Sequence, residues 1–595
     1  MRNFYRFSMV ILGLLAVNFV SAQEVLVVPQ GNGTLNDAIA EHQGNKIYKL
    51  EAGGWYGLTA PLENNDFHLQ IIGEEYDDSQ IPATVQTGFN AADNLPFHVM
   101  FNANGEVTCK NIYFMNADIN GSIGNYFFVQ NKEGVSSTFD RCVIDPVGLA
   151  VGWQLGGGNN DIFFTNNIVA RHGVLTSAND GFTFVITLDG SAGGADTVWI
   201  ENNTFVSTGM TWMSGSFGTQ VNNLIMVNHN TFIMHKSQLD WTVLEEEFYM
   251  TNNLFFHFMS SPYAYVWQPM PGGDAGMPKP ALIYADTIAG ETLPTDRINY
   301  WQYNSMYYPQ GSIDLVAEMN DSAAANAAYP KVNLHPFVWD GLTDANLGAD
   351  PAEAFAACRE AVLFNHSNNT NTDFPLWQLG NSTYGQDPLF TDSRIYDLSD
   401  SLVIWARYAQ MIHAQTMPPD WFPLAGEWPD WHWDPDRDPS INDTWPLIDA
   451  TYTDAATLTG SVARLPLGDL NWYPEKMAIW EQNKDAIFQH MKDGNTEKWG
   501  SIGVGPAIEA GTLSRVYPNP MSTSATVEFT LDSPAHVEIA IINSIGQEVM
   551  RVINEERASG THSVTFDRGD LNHGLYFYNI RVGNQSETQK LMILK

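Results

Sequence analysis

The chain of 595 residues has only three cysteines, Cys109, Cys142 and Cys358. An odd count leaves at least one thiol free and excludes a disulfide-stapled scaffold, and which pair, if any, would bridge stays open. Neither the number nor the spacing makes a zinc site. Basic residues are scarce as well: 28 Lys and Arg stand against 67 Asp and Glu, a formal charge of −39. A surface this negative repels phosphates and anionic bilayers, so neither nucleic acid nor a membrane surface is an expected partner. An anionic polymer would need a local basic patch to be held. Also missing are a phosphate-cradling Gly loop, a reactive-Cys pattern and a Gly-x-Ser-x-Gly elbow. No apolar run after the N-terminus is long enough to span a bilayer, so an integral membrane protein is not expected.

The N-terminus does hold one short apolar run. Arg2 and Arg6 precede Met9–Val17, and Val20-Ser21-Ala22 has the small-residue spacing of a cleavage site. Residues 1–22 therefore read as a secretory signal, with the mature chain starting at Gln23. No Cys follows the run, which argues against lipid attachment there.

What the sequence has in quantity is repetition. Between Asn104 and Phe258 six copies recur of an apolar-alternating run, an Asn-containing bend and another apolar pair. Aligned on Asn111, Cys142, Asn167, Asn203, Asn230 and Asn253, the copies step by roughly 23 to 36 residues, the range of solenoids. In Thr197–Val206, Val198 and Ile200 are expected to point inward, because strand side chains alternate. The Asn pair then turns the chain, Phe205 returns inside, and stacked Asn side chains bond along the coil. Further strand-like runs, such as Phe97–Phe101, Tyr126–Val129 and Val151–Leu155, raise the count to about three strands per turn, enough to close a parallel coil.

With these motifs, residues 24–310 resemble the right-handed parallel β-helix proteins of the pectate-lyase-like class. The expected fold is all-β: a parallel β-helix over 23–398 with a loop or helix inserted near 322–360. A two-sheet sandwich is the structural alternative, since short alternating strands also build sandwiches. Residues 399–513, rich in Trp and Pro, read as a helical and irregular cap, with helices expected at Ser401–Thr416 and Glu475–Lys492.

From Ser514 the texture becomes that of a small antiparallel β-sandwich, with strands expected at Ala525–Leu531, Val537–Asn543, His562–Phe566 and Tyr576–Val582. Tyr517-Pro518-Asn519-Pro520, Ile545-Gly546-Gln547, Gly574-Leu575-Tyr576 and the closing Gln589–Lys595 resemble the C-terminal sorting domain of type IX secretion in Bacteroidetes. The resemblance implies engagement of the type IX machinery and release outside the cell or attachment to its surface.

Polysaccharide lies along one sheet of the coil in pectate-lyase-like enzymes, which makes Trp153, Trp212, Trp241 and Trp267 candidates for a sugar-stacking row. Arg171, Ser207, Met234 and His257 fall at equivalent repeat positions, with His235 and Lys236 just beyond Met234. Such a basic edge suits β-elimination of an acidic polysaccharide: Lys236, His235 or His257 as base, Arg171 on the acid group. A non-catalytic glycan-binding or adhesion protein is the alternative, and fold does not decide between them. The motifs of β-helical polygalacturonases and pectin methylesterases are absent, which weakens hydrolase and esterase readings. Asp434, Asp436 and Asp438 alternate as hard-oxygen ligands for calcium do, although the loop lacks the Gly and closing Glu of the helix–loop–helix pattern.

Overall fold

A computed structural model describes residues 24–76, 79–90, 92, 94–149, 151–171, 184–188, 194–208, 211–214, 222–235, 238–243, 246–258, 283–286, 298–311, 314, 370–371, 374–397, 399, 447–499, 514–517, 521, 524–531, 535–543, 548–558, 560–569, 571, 574–582 and 585–593. Among these the chain forms two compact units, Met1–Lys498 and Trp499–Lys595.

The first unit is a parallel β-helix. From Lys46 to Tyr307 the chain visits three sheets in strict rotation, and every strand pairs in parallel with its counterpart one turn away; beyond that, Thr370–Asn371 pairs antiparallel with Phe374–Gly380 in sheet 1. Sheet 1 has 12 strands, sheet 2 has 11 and sheet 3 has 8 among the described residues. Crossovers between parallel strands of one sheet wind right-handed. The parallel pairing removes the sandwich alternative for this part of the chain.

Alternation sets the interior. In sheet 1, Tyr48, Ile71, Cys109, Phe139, Phe164, Ile200, Val227, Met250 and Trp301 succeed one another in a single register column. All nine are buried in one continuous core. Phe205, Phe232 and Phe255 of sheet 2 stack nearly face-parallel within it, with centroids 5.0 and 4.8 Å apart. Helix α1 (Thr34–His42) lays Leu35 and Ile39 over the first turns and closes that end of the coil.

Sheets 1 and 2 meet at a two-residue bend that repeats turn after turn. Its first residue is left-handed: Asn111, Arg141, Asn166, Asn202, His229, Asn252, Tyr303 and Asn381 all have φ between 52° and 60°. Asn tolerates this region better than most residues, which accounts for its frequency here. The second residue forms the ladder. The backbone N–H of Asn167 donates to Asn203 Oδ1 at 2.9 Å, Asn203 to Asn230 at 3.0 Å, Asn230 to Asn253 at 2.9 Å and Asn253 to Asn304 at 3.0 Å. Each Nδ2 also donates to a carbonyl of the preceding turn, as Asn203 does to Phe164 at 2.9 Å. Cys142 joins the ladder through its N–H on Asn167 Oδ1 at 2.8 Å.

One alignment needs correction. Lys110 pairs with Asp140, and Asn111 shares the left-handed position with Arg141, so Ile112 and not Asn111 is the counterpart of Cys142. Two kinds of Asn, one for the backbone geometry and one for the ladder, look alike in sequence. Cys109 and Cys142 are both buried free thiols, with Cys142 Sγ 3.6 Å from the Cys109 carbonyl. Burial holds the Cys142 thiol up at about 12. Cys358 lies outside the described residues, as do the insertion near 322–360 and the helix expected at Ser401–Thr416.

Two segments after the coil pack back on it. Phe390, Ile395, Leu447, Ile448, Tyr452 and Leu467 cover the outer face of sheet 2, burying Met115, Val143, Val206, Ile233, Met234 and Phe256. Helix α2 (Pro474–Lys492), expected from Glu475, crosses the later turns of sheet 1. There Phe488 meets Trp199 at 4.8 Å, Lys492 reaches Glu247 at 3.1 Å, and Trp480 covers His229. Gly468 (φ 76°) lets the strap come close, since a Cβ there would lie 2.3 Å from Thr231 Oγ1.

The second unit has a three-stranded antiparallel sheet (Ser514–Tyr517, Ser524–Leu531, Gly560–Asp567) and a four-stranded one (Ala535–Asn543, Glu548–Arg557, Gly574–Val582, Gln585–Ile593). Val527, Phe529, Ile539, Ile541, Tyr578 and Ile580 form its core. Glu548–Arg557 and Gln585–Ile593 were not expected as strands, because their many charged and polar residues interrupt the apolar alternation in sequence.

Ladder geometry makes a direct prediction. Asn230→Ala removes the acceptor for Asn203 N–H and strands buried polar groups, so unfolding in urea should show a loss of about 3 kcal/mol. Thr138→Ala, half-buried on the outer face of sheet 1, should stay within about 0.5 kcal/mol of wild type.

Candidate functional site

Arg171, Ser207, Met234 and His257 do occupy equivalent positions, all left-handed with φ between 51° and 57°. They form the second bend of the coil, at the end of sheet 2. Their side chains do not form an open cationic edge, because the segments packed on sheet 2 bury them. Arg171 forms a buried ion pair with Asp145, which also accepts from the Tyr113 hydroxyl at 3.1 Å. His235 is fully buried with Nδ1 2.6 Å from Thr208 Oγ1. His257 is fully buried against Ser399, and burial lowers its pKa to about 3, so the ring is neutral. Lys236 lies outside the described residues, in the two-residue connection between strands Thr231–His235 and Gln238–Val243.

The proposed row of tryptophans also divides. Trp153 was expected on the outside and is inside: it is fully buried, 5.0 Å from Phe127 and 4.6 Å from Phe164. Its alternation phase matches Phe128 and Ile186, both core residues, and the tube has room for an indole. Trp241 lies in a sheet 3 strand, in register with Ser214 and Tyr284, and so in the column of Gln154 and Thr187. Trp212 lies in the neighbouring strand Thr211–Ser214; the side chains of both, and all of Trp267, fall outside the described residues. So do Asp434, Asp436 and Asp438, the calcium candidates, and among the described residues no group of three or more His, Cys, Asp or Glu could hold a metal.

Connection lengths point to sheet 3. After the first turns, where 51–54 and 74–82 join sheets 1 and 2, the bend between them shrinks to pairs such as Asn166-Asn167, Asn202-Asn203, His229-Asn230 and Asn252-Asn253. The long connections 171–183, 188–196, 259–282 and 287–297 enter or leave sheet 3, whereas 308–369 leads from a sheet 2 strand to a sheet 1 strand. Long loops on a rigid scaffold are where binding residues collect. In the earlier turns the outward column of sheet 3 runs Glu63, Asn102, Val129, Gln154. Asn102 Nδ2 donates to Glu63 at 3.0 Å and Asn131 Nδ2 to Asn102 at 2.8 Å. Tyr126, half-buried, lies beside the exposed His98, with ring centroids 4.9 Å apart. These residues were missed from sequence because the strand runs were recognised without assigning which alternate residues face out.

The two antiparallel sheets of the second unit complete the picture. Residues 515–594 match the family described as the secretion system C-terminal sorting domain. The protein is therefore cargo of the type IX route, secreted or carried to the outer cell surface. No helix among the described residues is long and apolar enough to cross a membrane. No curated protein matches the chain at the level of sequence. Among solved structures, the alginate lyase AlyGC of the PL6 family is similar at 14% identity and a TM-score of 0.25, over 40% of this chain. The matched part spans 36% of that enzyme, about a third of its length.

Buried histidines give the coil an acid-sensitive term. Burial also lowers His229 to about 3, its Nδ1 lying 3.1 Å from the Gly468 carbonyl. Because both folded values lie below the unfolded one of about 6.5, the unfolded chain binds more protons in between. This stability is complete above about pH 6.5 and is lost as pH falls toward 3. Buried Asp469, raised by desolvation to about 7, contributes the opposite slope, favouring the fold below its unfolded value and losing that as pH rises through 7. Urea midpoints taken from pH 6.5 to 4.5 should therefore fall less steeply in His229→Asn and in His257→Asn than in wild type, and more steeply in Asp469→Asn. Separately, Arg171→Met should cost about 3–5 kcal/mol at neutral pH by leaving the Asp145 carboxylate buried without its partner, as read by denaturant unfolding.

Proposed function

We propose that this exported β-helix holds an extracellular polysaccharide along the outer face of sheet 3, as a glycan-binding protein of the cell surface. The observation that carries the reading is the placing of the long connections 171–183, 188–196, 259–282 and 287–297 at the edges of that sheet, while between Lys110 and Leu254 sheets 1 and 2 are joined by bends of one or two residues and covered by the strap and α2. A linear glycan laid along the coil axis meets the same outward column at each turn, roughly 4.8 Å apart. Such a surface repeats its contacts at the spacing of the coil without needing a deep pocket.

Cleavage by β-elimination asks for a base that reaches substrate and a cation on the acid group. His235 and His257 are enclosed and Arg171 is held by Asp145, so Lys236, at the entrance to a sheet 3 strand, is the candidate that carries the lyase reading. The burial of the other three favours binding over cleavage.

Affinity electrophoresis of the full chain in polysaccharide-containing gels tests both. Retardation without product is expected, weakened about tenfold in Trp241→Ala if the indole stacks on sugar. An ultraviolet-absorbing unsaturated product from the wild-type protein, abolished in Lys236→Ala, would replace binding by a lyase activity.

A further inference from the structure

The outward side chains of sheet 3 over its earlier turns are mostly polar. Glu63, Asn102, Val129 and Gln154 share one column, and Asn131 donates into it. Each side-chain amide offers both donor and acceptor, as a sugar hydroxyl does, so amides and hydroxyls satisfy one another in either direction. Tyr126 adds an aromatic face at the start of the same strands, with His98 beside it. Flat rings of this kind cover the apolar face of a pyranose.

Charge is distributed against a polyanion. Carboxylate and sulfate groups are held by Arg or Lys through charge-assisted bonds. On this part of sheet 3 the nearby ammonium, Lys132, is engaged by Asp66 at 2.7 Å, and Glu63 places a carboxylate in the column itself. Arg171, the guanidinium expected to receive a uronate, is turned inward to Asp145. Around the face lies a chain with 67 acidic and 28 basic residues, whose field raises the cost of bringing a polyanion close.

Taking polysaccharide engagement on sheet 3 as given, we infer that the glycan is uncharged, recognised through its hydroxyls by Asn102, Gln154 and Asn131 and through one ring face by Tyr126. Binding then depends little on salt, since no ion pairs with the ligand are screened.

The full chain is run through gels containing neutral glucan, mannan, galactan or xylan, and through gels containing polygalacturonate, alginate or a sulfated galactan, each at low and high salt. Retardation is expected in at least one neutral gel, unchanged by salt and absent from the anionic ones. Asn102→Ala and Gln154→Ala should each weaken it about fivefold, the worth of one hydrogen bond, with thermal unfolding unchanged. Retardation by an anionic polymer that fades with salt would overturn the inference and leave polysaccharide binding standing. Neutral retention indifferent to both substitutions would overturn the assignment to this face. Retention by no polymer of either set would overturn the inference together with the reading it rests on.

Discussion

One hydrogen-bonded column governs the rest of this molecule. Asn167, Asn203, Asn230, Asn253 and Asn304 sit in the dry interior of the bend between sheets 1 and 2, each accepting from the turn before and donating toward its backbone. A buried bend would otherwise strand its amides and carbonyls, at a cost of about 1–3 kcal/mol for each unsatisfied group. The ladder fixes where each turn of the coil must fold, and once that is fixed the alternation of side chains brings Phe164, Ile200 and Val227 into one inward column. A one-residue slip would exchange the core for the outer face. The left-handed residue before each ladder position completes the device by turning the chain sharply enough for the next strand to start in sheet 2.

The same constraint divides the surface by task. Where the bend is two residues long, there is no room for insertion, and the two sheets it joins become ground for the protein's own later segments. The strap over sheet 2 and helix α2 over sheet 1 bury Met234 and Phe256, pack on the half-buried Trp199 and exclude water from His229 and His257 in the process. Sheet 3 has long connections at both edges instead. The covered sheets and the sheet edged by long connections thus lie on different sides of one tube, and the sorting domain, with its own core, adds the export address.

Much of this was legible in the chain. Val198, Ile200 and Phe205 read as inward from their spacing alone, and all three are buried. The stacking of Asn side chains, helix α2 and the antiparallel tail followed from equally local patterns. The candidate site was less legible. Arg171 and His257 were correctly aligned as equivalent, but equivalence in a repeat says that side chains share a column and not whether another segment lies on top of it. Trp153 failed for a related reason: an indole reads as outward or inward according to alternation phase, and Gly152 beside it offers no side chain to settle that phase.

What the sequence alone determined, then, is everything set by short-range periodicity: the coil, its bends, its inward residues and the sorting tail. Those features depend on neighbours a few residues away or one turn away, and a repeat prints them many times over. Only the tertiary structure decided which outer faces stay accessible, because residues 390–397 and 447–492 return to cover strands formed some two hundred positions earlier, as Gly468 and Asp469 do over Thr231 and Thr204. Those contacts hold one partner each and do not recur. No period announces them, and the burial that neutralises His229 and His257 comes from that single long-range closure.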